Sequence, residues 1–351
     1  TVRDGYSVFG IFICGNFSMC DGGVIGHLGR SDDGCIEGNR ILFNQVANQQ
    51  LSASGGGIYV GGLAPLNGVT SLTEGSGSVV ITGNRIQGNQ AASGDGGGIR
   101  LERINGLDLT DDSPASFQVG IYNSMIVNNS AGLAGAGISL QDAVAVDIVN
   151  DTVANNDSLG TAADAFPAGS PNQSQSQPSG IVARAHGSAL ATAVGAGFSQ
   201  PRLSNLIVLN NRAFSFLNTT GYSGLTPKPD AAAVNWDLGV LGTSGTLAPT
   251  NSIGQTTNPT AYFVSPYYNG LGGHLAADEG GNAIDVRVKP LTATLSDYHL
   301  ATENNVGRAV QDAIADDVDD LSVDYDAAGR PTTGAVDAGA DEFDNADHPL
   351  W

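Results

Sequence analysis

Basic residues are scarce in this chain. Lysine and arginine total 14 against 35 acidic residues, for a formal net charge of −21. Nucleic-acid and anionic-membrane binding both require a basic footprint, so neither is expected. Lysine occurs only as Lys228 and Lys289. Charged residues of both signs make up 14% of the chain, well below the roughly 25% usual in soluble domains. No run approaches the ~18 apolar residues of a membrane-spanning helix, so no membrane insertion is expected. The three cysteines, Cys14, Cys20 and Cys35, all lie near the start. One disulfide plus one thiol is the simplest arithmetic, with Cys14–Cys20 the first choice because a short loop joins them. Three buried thiols are the alternative. No C-x-x-C or paired-His spacing points to zinc beside them. The first residue is Thr1, and a strand-like stretch, Tyr6-Ser-Val-Phe-Gly-Ile-Phe-Ile13, follows directly. This reads as a piece of a longer precursor.

Glycine and asparagine are abundant, at 49 and 27 residues, and 41% of the chain is hydrophobic, enough for a core. Glycine follows no three-residue period, which excludes collagen. The asparagines mark a six-residue frame with Asn at both ends. It spans Asn39 to Asn44, Asn84 to Asn89, Asn123 to Asn128, Asn150 to Asn155 and Asn205 to Asn210. A less regular copy, Asn16 to Asp21, precedes them. Behind the first three frames stand Ala47, Ala91 and Ala131, and then Gly55-Gly-Gly-Ile-Tyr-Val60, Gly96-Gly-Gly-Ile-Arg-Leu101 and Gly135-Ala-Gly-Ile-Ser-Leu140. Self-similarity in fixed order signals a solenoid. The intervening runs are short, β-branched and alternating, as in Ser78-Val-Val-Ile-Thr82, which predicts strands rather than helices. Stacked coils would bury the inner face of each strand, and equivalent Asn side chains would bond as a ladder. The expectation is all-β, a parallel β-helix.

The Asn frame with its GGGI element resembles the right-handed parallel β-helix (pectin-lyase-like) superfamily. A second match lies near the C-terminus. Tyr298-His-Leu-Ala301, Val323-Asp-Tyr-Asp-Ala-Ala-Gly-Arg-Pro331 and Val336-Asp-Ala-Gly-Ala-Asp-Glu-Phe343 resemble the closing element of bacterial secreted and surface β-helix proteins of the choice-of-anchor-Q type. Repeat-like sequence covers about 5–215 and the closing element about 290–345. The expected organisation is regular coils over 1–215, with a projecting low-complexity loop at 160–180. Irregular coils and long loops follow over 216–300, then an acidic capping segment over 301–351, with a short helix within 305–315.

The superfamily includes polysaccharide lyases, hydrolases and epimerases. A lyase needs a strong base and cations to neutralise a uronate carboxylate. Both lysines lie outside the regular coils, and Arg40 and Arg85, at one repeat position, are expected on a solvated outer face. A hydrolase needs two carboxyls about 5–10 Å apart. The local set is Asp95, Glu102, Asp108, Asp111 and Asp112, with Arg100 beside it. The five histidines are scattered, and each is read as structural or exposed. Asp316, Asp317, Asp319, Asp320, Asp324 and Asp326 form a dense set of oxygen donors that could hold Ca²⁺. Asp324-x-Asp326-x-x-Gly329 resembles the opening of a calcium loop, although Ala335 stands where its closing Glu belongs. The leading expectation is an extracellular, non-catalytic module that binds a glycan or another protein as a surface scaffold. A carbohydrate-active enzyme and a subunit of an extracellular assembly are the alternatives.

Overall fold

The computed structural model describes residues 7–9, 12–14, 17–18, 25–46, 53–63, 72–110, 117–227, 234–254, 262–271, 295–308, 319–331 and 333–343. Short strands alternate with Gly and Asn corners, and the described residues are mostly β in parallel sheets, with a short α-helix at Ser188–Val194. The first sheet stacks Ser7–Phe9, Ser31–Glu37, Gly77–Thr82, Val119–Tyr122, Val146–Val149 and Arg202–Ser204 in parallel. The second stacks Phe12–Cys14, Arg40–Leu42, Arg85–Gln87, Met125–Val127, Thr152–Ala154 and Ile207–Leu209. The third runs from Phe17–Ser18 through Gln45–Val46, Gln90–Ala91, Ser130–Ala131 and Asp157–Ser158 to Arg212–Ala213. Val234–Asn235 then adds an antiparallel edge. The fourth stacks Ile25–Leu28, Ile58–Gly61, Ile99–Ile104, Ile138–Ala143, Ile181–Arg184 and Leu238–Leu241. Consecutive strands visit the four sheets in turn, and each pairs with its counterpart one coil on.

Register makes the core a set of apolar columns. Ile36, Ile81, Ile121, Ile148 and Leu203 stack in the first sheet. Ile41, Ile86, Ile126, Val153 and Val208 stack in the second. The isoleucine of each GGGI element joins Ile25, Ile58, Ile99, Ile138 and Ile181 in the fourth. All are buried in one cluster. A β-branched side chain suits this pleated stacking, and full burial of each is worth about 1.5–3 kcal/mol.

A polar column accompanies the apolar ones where the second sheet turns into the third. Asn44, Asn89, Asn129, Asn156, Asn211 and Asp237 succeed one another. Each backbone N–H and each side-chain Nδ2 donates to the Oδ1 of the next coil at 2.8–3.1 Å. The same Nδ2 atoms of Asn89, Asn129, Asn156 and Asn211 also donate to carbonyls inside the turn, those of Ile41, Ile86, Ile126 and Val153. These bonds fill buried groups that strand pairing leaves unused. The glycines are part of the same device. A Cβ on Gly98 would lie 3.0 Å from Asn129 Nδ2 and 2.7 Å from the Gly137 carbonyl, so this position must be bare. Gly96, at φ +69, makes the corner two residues earlier.

The expected ladder is therefore off by one residue in three coils. Asn128, Asn155 and Asn210 are not column members. They occupy the corner just before it, with φ of 55°, 55° and 58°, where Phe43 and Gly88 stand in earlier coils. Asn123, Asn150 and Asn205 are left-handed corners too, matching Gly38 and Gly83, and Asn205 Nδ2 donates to Asn150 Oδ1 at 3.0 Å, as the expected ladder has it. The column beside them runs Asn39, Asn84, Ser124 and Asp151. Asn serves both positions, because it tolerates left-handed backbone and carries the amide that bonds between coils.

The closing segment also differs from expectation. Its described part lies along the flank of the coils rather than across their end. Asn128 Nδ2 donates to the Tyr267 carbonyl at 2.7 Å, Ala340 N to Thr152 Oγ1 at 3.0 Å, and Gly339 N to the Asn205 carbonyl at 2.8 Å. The cause is an apolar outer row on the second sheet. Met125, Val127, Ala154, Ile207 and Leu209 pack with Phe263, Tyr298, Leu300, Ala338 and Ala340. Arg85 is consequently buried under this segment, donating to the Ser296 carbonyl and to Gln87 Oε1, whereas a solvated face was expected. Residues 160–180 fold back as well. Ala162 and Ala165 pack on Leu133, Ala134 and Val182, and Ser174 Oγ accepts from Phe216 N at 2.7 Å. Cys20, most of the 305–315 segment expected as helix, and the side chain of Cys14 fall outside the described residues.

Candidate functional site

The fourth sheet carries a polar cluster on its outward rows. In register, Tyr59, Arg100 and Ser139 form one row, and Glu102 and Gln141 lie on the next. Arg184 ends the strand paired with Ile138–Ala143. Asp95 reaches the cluster from the loop ahead of Ile99. Its Oδ1 accepts from Arg184 Nη2 at 2.8 Å and from Ala134 N at 2.9 Å. Its Oδ2 accepts from Arg100 Nη1 at 3.0 Å and from Arg184 Nε. Arg100 also donates to Ser139 Oγ, Gln141 Oε1 and Glu102 Oε2. Glu102 is shared further with Arg103 at 2.8 Å and with the Tyr59 hydroxyl at 3.3 Å.

Sequence reasoning picked out Asp95, Arg100 and Glu102, and the structure brings these three together. It also binds them into one another. Burial alone would raise the Asp95 carboxyl, but Arg184, Arg100 and the Ala134 amide outweigh it and hold the group below its usual range. A carboxylate kept ionised, with four hydrogen bonds filling both oxygens, has neither a proton to give nor a lone pair to spare. Asp108 is similarly occupied, accepting from Phe117 N at 2.9 Å. Asp111 and Asp112 lie outside the described residues.

The second constellation is in the closing segment; the sequence offered Asp326 as a calcium ligand, His299 was read as structural or exposed, and Asp341 was not singled out. His299 sits on the strand Asp297–Leu300, paired antiparallel with Phe263–Ser265. Its Nδ1 donates to Asp297 Oδ1 at 2.6 Å, and its Nε2 lies 3.0 Å from Asp326 Oδ2. Desolvation lowers the imidazole pKa, but the bonds to Asp326 and Asp297 outweigh it and raise it to about 9. Asp341 stands beside them. Its Oδ2 accepts from Leu300 N at 2.6 Å, and burial pushes the carboxyl up to about 7. Among the described residues, His299, Asp326 and Asp341 form a group that could hold a metal ion, with ligand atoms within 4.8 Å of one another.

The remaining motif residues build the frame around these three. Asp324 Oδ1 accepts from the backbone N of Asp326 and Ala328, and Oδ2 from Glu342 N. This carboxylate ties the turn at Asp326 and Ala328 to the Glu342 backbone. Arg330, buried, donates to Glu342 Oε2 and to the carbonyls of Asp337 and Gly339. Asp337 accepts from the backbone of Asn304, Asn305 and Phe343. Asp316 and Asp317 lie outside the described residues, as do the side chains of Asp319 and Asp320. Among the described residues, Asp326 is the expected calcium ligand that joins the His299 group. The usable signal was the pairing of Tyr298-His-Leu-Ala301 with the two later acidic motifs, whose Asp326 and Asp341 converge on that histidine. No protein-family model matches the chain, and neither a curated protein nor a solved structure does.

Proposed function

We propose that the chain is a right-handed parallel β-helix of the pectin-lyase-like kind, acting as a non-catalytic extracellular scaffold or adhesion module of a larger bacterial protein. The observation that carries this is the saturation of the Asp95–Arg100–Arg184 cluster. Charges on a sheet face that bind or cleave a polysaccharide must be free to meet it. Here they are paired with one another and largely buried. The stacked parallel sheets support the β-helix, and the resemblance of the GGGI frame and closing element supports the extracellular placement. A screen of uronate and neutral polysaccharides tests the reading, following unsaturated products and new reducing ends. Binding without turnover, or neither, is expected; turnover by the purified chain defeats it. A second reading, a subunit of an extracellular assembly, is favoured by the exposed Val234 and Trp236 at the last coil. A monodisperse monomer in sedimentation over a wide concentration range counts against it.

A further inference from the structure

We infer that His299 Nε2, Asp326 and Asp341 form a binding site for a divalent transition-metal ion, with zinc(II) as the type. The site lies in the closing segment, shares no residue with the sheet-four cluster, and is independent of the scaffold reading. Three observations carry it. First, the donors converge from separate stretches of chain, with all three ligand atoms within 4.8 Å of one another. A tetrahedral ion with bonds of about 2.0–2.2 Å spans ligand pairs of roughly 3.4 Å, so a contraction of at most about 1.4 Å closes the widest pair.

Second, Asp341 is 1% exposed, and its Oδ1 has no hydrogen-bond partner, while its Oδ2 is held by Leu300 N. A buried carboxylate oxygen without a donor is costly, and a cation is the partner that its charge demands. Third, Asp297 takes the Nδ1 proton of His299 at 2.6 Å. Metal-binding histidines are oriented in this way by a carboxylate on the far nitrogen, which fixes the tautomer and turns the Nε2 lone pair to the ion. Asp297, Asp326 and Asp341 together place three carboxyl groups around one imidazole, an excess of negative charge that a divalent ion offsets. The Asp326 side chain is 16% exposed and opens the group to solvent, so an ion has a way in.

The donor set also selects the ion. Ca²⁺ takes six to eight oxygens, whereas one imidazole nitrogen with two carboxylates suits zinc. This replaces the calcium expected from the acidic run. The ion would tie the strand Asp297–Leu300 to the two loops that carry Asp326 and Asp341, fastening the closing segment along the coils.

The test uses the whole chain, freed of metal by chelator and titrated calorimetrically with ZnCl₂, with and without millimolar CaCl₂. One equivalent per chain, unaffected by calcium, is expected. Asp341→Asn and His299→Gln should abolish that binding, and Asp297→Asn should weaken it about 10–100-fold. Circular dichroism checks the fold of each variant. Cobalt(II) added to the unmutated chain gives a second reading that needs no variant, because an ordered nitrogen–oxygen site produces a visible ligand-field band. Absence of saturable zinc binding and of the cobalt band overturns the inference. So does undiminished binding in folded Asp341→Asn and His299→Gln.

Discussion

Asp237 takes the place in the last coil that Asn211 holds in the coil before, and its Oδ1 accepts both the backbone N and the side-chain Nδ2 of Asn211, at 2.9 and 2.8 Å. The amide column thus ends on an acid. Its second oxygen, Oδ2, is buried without a partner, and the residue lines a cavity of about 230 Å³ with Trp236, Leu238 and Ile253. Burial pushes the carboxyl up to about 6, against the pull of the Asn211 bonds.

An acid whose folded pKa is raised gives its full stabilisation below the unfolded value and loses it as pH rises through the folded one. For Asp237 that window runs from about 4 to 6. Asp237→Asn keeps the acceptor and removes the charge. The variant should be more stable than the parent at pH 7.5 by about 1–3 kcal/mol, and nearly equal to it at pH 3.5, below the window. Melting temperatures at the two pH values decide this. A lower melting temperature at pH 7.5, or the same offset at both, contradicts it.

Column and corner asparagines should respond differently. Asn129→Ala takes the acceptor from the amides of Asn89 and removes the side-chain donor to the Ile86 carbonyl, while Asn156 Oδ1 keeps the backbone N–H of residue 129. Each buried loss costs about 1–3 kcal/mol, so a total of about 3 kcal/mol or more is expected. Asn123→Gly supplies the residue that Gly83 already provides one coil earlier, and should cost less than about 1 kcal/mol. Chemical denaturation of both variants checks the contrast, and equal losses would refute the assignment of the column.

In metal-free protein, His299 should tie stability to alkaline pH. Its pKa is raised to about 9 among Asp297, Asp326 and Asp341, with the Tyr325 ring edge-to-face beside it at 5.9 Å between ring centres. A raised histidine contributes fully below about 6.5 and loses that contribution as pH climbs through 9. Asp341, raised to about 7, acts in the same direction. The melting-temperature gap between the parent and His299→Gln should be wide at pH 6 and should narrow by pH 10. A constant gap would show that the imidazole charge contributes nothing.

The parallel stacking of short strands was legible in the sequence because its repeat is written twice, in the Asn frame and in GGGI. The isoleucine columns follow from it directly. The column register was not legible in three coils, because Asn128-Asn129, Asn155-Asn156 and Asn210-Asn211 put corner and column residues side by side. A spacing pattern cannot say which member turns inward. Asp95, Arg100 and Glu102 were found together because they lie within one coil. His299 was not, since its partners stand 27 and 42 residues away, on loops with no period to align them. The placement of the closing segment depended on the outer row of the second sheet. Met125, Val127 and Leu209 form an apolar stripe only once register is known.

The most direct test of the central claim is polysaccharide turnover by the parent chain and by Asp95→Asn, each measured below its melting temperature. Arg184 and Arg100 lose their shared carboxylate in the variant, which should cost about 3–5 kcal/mol of stability. The account predicts this loss with no turnover by either protein. Turnover by the parent that disappears in a stably folded Asp95→Asn would contradict it, and would make the cluster a catalytic site.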